Sequence, residues 1–183
     1  MHIKTLLCTS LLFLLANFAW TQETPLTPAQ IRDSIELFSG RIAADSLVES
    51  EYVGIAGTQS LQFSRFTRIL AIASDTQLMD LTDHASPTVR LYAYYGLTWK
   101  NPPLLVEALR NHLDDTAHVQ TINGCLYAES TVFAEAIYWA EEHLVRGNPK
   151  GLNKEGKAFI HEEYMAILAQ QRERRRAEKL RDE

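Results

Sequence analysis

Residues 86–99, Ser-Pro-Thr-Val-Arg-Leu-Tyr-Ala-Tyr-Tyr-Gly-Leu-Thr-Trp, constrain the fold more than any other stretch of the chain. Ser86 followed by Pro87 is a helix start: a hydroxyl that takes up free N–H groups, then a residue whose fixed φ suits the first helical position. Val89, Tyr92, Ala93, Gly96 and Leu97 recur at the spacing of one buried helical stripe. The opposite side carries Leu91, Tyr94 and Tyr95, which leaves only Arg90 and Thr98 hydrophilic. A helix apolar nearly all round is either walled in by neighbours or shows a sticky face to a partner. Both readings stay open here: a terminal helix covers Leu91, Tyr94 and Tyr95, or they form an interaction surface.

The flanking sequence predicts more helices. Thr27-Pro28 opens one with Ile31, Ile35, Phe38 and Ile42 inward, running raggedly to about residue 48. Residues 49–60 hold Gly54 and Gly57 and few helix formers, so they form an ordered loop. Ser60 caps a helix to residue 73, and Asp75 a shorter one to residue 84. Asn101-Pro-Pro103 stops one helix and starts another. Residues 114–129 are less periodic, and 121–125 form an irregular helix or a loop. Ser130 begins a helix to residue 145, Gly147-Asn-Pro149 breaks it, and a last helix starts near Asn153. No stretch alternates strictly enough for a convincing strand, so the expected class is all-α, built from helix pairs.

The N-terminus has the layout of a secretory signal peptide. A short basic start containing Lys4 precedes an apolar run over residues 6–18, and small or polar residues come next. The run is too short for the roughly 18–20 residues that span a bilayer. The expectation is therefore an exported protein, periplasmic or secreted, cleaved near Thr21 and Gln22, with no transmembrane segment in the mature chain. Loss of Lys4 leaves 17 basic against 23 acidic residues. Six of those basic residues lie in 172–181, so the body is acidic and nucleic acid is not the expected partner. Cys125 alone remains of the two cysteines, and its neighbours Gly124 and Leu126 place it in the core.

A period emerges when residues 84–90, His-Ala-Ser-Pro-Thr-Val-Arg, are laid against residues 114–120, Asp-Asp-Thr-Ala-His-Val-Gln, thirty positions later. Pro87-x-Val89-Arg90-x-x-Ala93-x-x-x-Leu97 resembles the signature of the short bacterial HEAT-like repeat, and residues 52–125 are similar to small exported bacterial proteins that carry it. The resemblance implies helix pairs stacked on a shared core, with Arg90 as a tether between repeats. The second copy departs from the pattern, with Gln120 in place of the arginine and Asn123-Gly124 in place of the alanine. The expected organisation is a signal peptide at 1–21, a HEAT-like α-helical domain at 22–170 with its best repeats at 60–125 and flanking helices as caps, and a charged, partly disordered helical tail at 171–183.

Motifs for chemistry are sparse. His84, His112, His118, His143 and His161 are scattered, and His161-Glu-Glu-Tyr164 lacks the second histidine of H-E-x-x-H, so no metal site is expected. Nucleophile and dinucleotide fingerprints are missing as well, which leaves no catalytic residue and no cofactor to name. The resulting expectation is a non-enzymatic module of the cell envelope or extracellular space, binding a protein or peptide partner through Leu91, Tyr94 and Tyr95. The alternative is a small-molecule binder or enzyme whose groove collects His84, Arg90 and His118.

Overall fold

The computed structural model describes residues 25–147 and 151–182; the expected signal peptide and its cleavage position lie outside them. Helix starts follow local chemistry. α1 (Pro28–Ala43) opens on a capping box in which Thr27 accepts from the Gln30 N–H and donates its own N–H to the Gln30 side chain. Ser60 caps α2 (Leu61–Ile72), and a Ser74–Gln77 box caps α3 (Asp75–Thr82). Ser86 precedes α4 (Pro87–Lys100) without a side-chain cap bond, so Pro87 alone marks that start. Asn101 caps α5 (Pro102–Asn111) and Thr131 caps α6 (Val132–Ala140). α6 runs into a π-helical turn, Glu141–Arg146, and the last helix is α7 (Lys154–Asp182). No helix among the described residues is long and apolar enough to cross a membrane.

The all-α, HEAT-like expectation is wrong, because two segments read as loops are strands. β1 (Leu47–Val53), β2 (Thr58–Gln59), β3 (His118–Gly124) and β4 (Leu126–Thr131) form one mixed sheet in the order β2-β1-β3-β4. β1 and β3 run parallel, with Leu47 opposite Gln120, while the pairs with β2 and β4 are antiparallel. Gly54 and Gly57 sit at φ +75° and +62° in the turn between β1 and β2. Gly124 at φ +58° opens the two-residue loop to β4, where a tight hairpin needs a positive φ. The second copy of the thirty-residue echo is therefore half strand. Val119 and Thr121 are its buried positions, alternating as a sheet requires.

α4 is the centre of the molecule. Every residue from Thr88 to Thr98 is buried except Arg90, with α1, α3, α5 and α6 around it and the sheet across one end. At Gly96 a Cβ would come within 3.2 Å of one Leu78 methyl and 3.4 Å of a Leu70 methyl, so glycine lets α3 lie close against α4. Aromatic rings fill the other side: Phe66 stacks on Tyr92 at 4.9 Å, and Tyr95 on Trp139 at 4.1 Å. The Tyr92 hydroxyl accepts from the Glu49 N–H (2.8 Å) and donates to the Glu49 carbonyl (2.9 Å), fastening helix to strand.

Candidate functional site

The expected interaction surface is interior. Leu91, Tyr94 and Tyr95 are 0%, 1% and 6% exposed, and α6 supplies the cover over Tyr95 through Trp139. None of the three is available to a partner. Burial pushes both tyrosine phenols above their ordinary value, and the Tyr94 hydroxyl has no hydrogen-bond partner among the described residues.

Arg90 lies at the edge of this interior and joins the two halves of the echo. Its Nε and Nη2 donate to the two carboxylate oxygens of Asp115 at 2.8 and 2.9 Å, a bidentate pair with side chains 14% and 10% exposed. Its Nη1 donates to the carbonyls of His84 and Ala85. A second tie runs beside it, from His112 Nε2 to Asp83 at 2.9 Å, while His112 Nδ1 meets the Ala108 carbonyl. The first link joins the start of α4 to the turn after α5, and the second joins the end of α3 to the end of α5.

His84, Arg90 and His118 do not converge on one groove. The His84 ring accepts from the Ser86 N–H and borders a cleft between α1 and α3, whereas His118 is exposed on β3 and borders another cleft. Cys125 is exposed at the β3–β4 turn, not buried, because the Gly124 that precedes it makes a hairpin rather than a core contact. No group of three or more His, Cys, Asp or Glu side chains among the described residues is placed to hold a metal ion.

What sequence reasoning missed is the open side of β4. The sheet has two outer strands, and they are treated differently. β2 is only two residues long, a length that blunts an edge, but β4 runs for six residues without a proline or lysine. Its residues Leu126 and Tyr127 are 77% and 61% exposed. A two-residue hairpin closes on a hydrogen-bonded pair, here Asn123 with Leu126, and alternate residues then turn their main-chain groups outward. The Val132 N–H donates to the Ala117 carbonyl at 2.9 Å, which keeps the even-numbered residues facing inward. Tyr127 and Glu129 consequently present their N–H and C=O groups to the outside, while the carbonyl of Thr131, the N-cap of α6, belongs to that helix.

Between α7 and the base of the β3–β4 hairpin, where the chain leaves β4, lies a cleft of about 880 Å³ that Leu113, Thr116 and His118 also line. One wall is the end of β4, with Glu129, Ser130 and Thr131; the other is the α7 face bearing Glu163, Ile167 and Gln170. α7 is held there by a buried carboxylate in the π-helical turn. Glu141, its side chain 3% exposed, accepts from His161 Nδ1 at 3.0 Å and lies 3.4 Å from Arg146 Nε. Its other oxygen has no partner among the described residues, and the Arg146 guanidinium lies 4.9 Å over the Tyr164 ring. The Gly147 N–H donates to the Glu142 carbonyl five residues back, the bond that defines the wider turn.

No protein-family model matches this sequence, no curated protein matches it, and no solved structure matches its fold. Any functional reading therefore rests on the molecule's own geometry.

Proposed function

We propose that the protein is a non-enzymatic interaction module that receives an extended segment of a protein partner along β4. One observation carries this reading: Tyr127 and Glu129 turn main-chain donors and acceptors away from the sheet, next to a cleft between the end of β4 and a helix. An added strand would satisfy those groups, and the cleft would take alternate side chains, the division of labour by which strand addition works. Six residues at about 3.4 Å each offer about 20 Å of edge. The same reading includes a location in the cell envelope or outside the cell, supported by the signal-peptide pattern of the N-terminal residues. The short HEAT-like resemblance adds nothing to the partner's identity, since such signatures describe packing.

Selection of a displayed random-peptide library tests the reading. Peptides that bind the folded protein and lose binding in Glu129→Pro beyond what Glu129→Gln loses would support it. Proline at 129 removes an outward N–H but no bond to β3, so the sheet itself survives. Failure to enrich any peptide above a denatured-protein control would overturn it.

A further inference from the structure

We infer, on the basis of strand addition at β4, that the incoming segment is basic. The cleft brings three carboxylates to its rim, Glu129 from β4 with Glu163 and Glu173 from α7, against Arg174 and one histidine, His118, among the described residues that line it. Asp115 also borders the cleft, but the bidentate bond from Arg90 already neutralises it. The floor between the walls is apolar, lined by Phe133 and Ala134 from α6 and by Ala166 and Ile167 from α7. A segment alternating cationic and small apolar residues matches both features: apolar side chains point to the floor, and lysines or arginines meet the acidic rim.

The obvious rival occupant is a second copy of this chain, paired edge to edge. A continuous sheet across a two-fold axis requires residues of like parity to face each other, which sets Ala128 against its own counterpart and Tyr127 against Glu129, or Glu129 against itself. Neither register gives Glu129 a cation, and each partner would bring the same acidic rim and a net charge of −5. In the second register like charges face each other directly. A basic peptide removes the repulsion that a second copy would create.

Fluorescence anisotropy with two labelled peptides, Lys-Val-Lys-Ala-Lys-Val and Glu-Val-Glu-Ala-Glu-Val, tests this on the full chain. The lysine peptide should bind at least about tenfold more tightly. Raising salt from about 0.1 M to about 1 M, which cuts the screening length from about 10 Å to about 3 Å, should remove most of that preference. Glu163→Lys/Glu173→Lys, both on the helix, should erase it with the melting temperature unchanged. Equal binding of both peptides, or a preference that survives these substitutions, overturns the basic-segment inference and leaves strand addition standing. Binding of neither peptide overturns both. A dimer in light scattering that Glu129→Pro dissolves gives the edge to a second copy and likewise overturns the inference.

Discussion

Val89-Arg90 and Val119-Gln120 occupy equivalent places in the thirty-residue echo, and both valines are buried, at 2% and 3% exposure. One lies in a helix and the other in a strand. The difference lies in the residues C-terminal to each valine. After Val89 come Tyr92, Ala93, Gly96 and Leu97, which sustain a helical stripe over three turns. After Val119 come Thr121 and Ile122, β-branched residues suited to a pleated surface, and then a glycine that turns the chain. A shared pattern fixes which position is inside, whereas the period of its neighbours decides the element that brings it there.

The two regions are bonded to each other, and breaking that bond should have the largest effect. Arg90→Ala leaves Asp115 nearly buried and without its cation, which should cost about 3 kcal/mol in urea unfolding. An unchanged midpoint would mean that the pair holds nothing together. Val119→Ala should cost about 2 kcal/mol, since β3 loses its best-buried side chain. A loss well below 1 kcal/mol would show that the sheet adds little to the helical core. Two tyrosines on α4 should then respond in opposite directions. Tyr92→Phe gives up both bonds to Glu49 and should lose about 1 kcal/mol. Tyr94→Phe deletes a hydroxyl that none of the described residues bonds, and should be neutral or gain up to about 1 kcal/mol.

The smallest effect is electrostatic. Burial opposes a charge on His112, but the Ala108 carbonyl and the Asp83 carboxylate outweigh it and raise its pKa. Its contribution is therefore complete below the unfolded value of about 6.5 and fades as pH rises through the higher folded value. At His84 burial, then Arg90, lowers the pKa, so stability is lost there as pH falls below about 6.5. Melts across this range should show His112→Asn flattening the alkaline side alone. Flattening on both sides would place the two histidines in one coupled network.

Much of the helical half is legible in the chain. Thr27, Ser60 and Asn101 announce their helices by side-chain capping, and the stripe from Val89 to Leu97 is interior, as its spacing implies. The sheet is hidden for two physical reasons. β1 and β3 pair across the four helices that separate them in sequence, so no local window contains the pair. β4 buries none of its residues and so shows no alternation of burial at all. One signal does exist: Asn123-Gly124, between β-branched Val119, Thr121 and Ile122 on one side and Tyr127 on the other, has hairpin composition. That signal moves Cys125 from the core to a turn and marks the candidate edge. Leu91, Tyr94 and Tyr95 mislead for the converse reason, because composition alone does not say how many neighbours surround a helix.

The parallel pairing of Leu47 with Gln120 also sets the order in which the chain can mature. Closing so long a loop costs entropy that helices α2 to α5 must first offset by collapsing together. By contact order, the pairing of β1 with β3 is the most costly of the sheet's pairings to close. β3 and β4 need no such closure, being joined by a two-residue turn, and in the finished sheet β4 keeps its open edge while β1 covers the other side of β3. The β4 edge is thus built by a local turn and does not depend on the long-range pairing that holds β1 to β3.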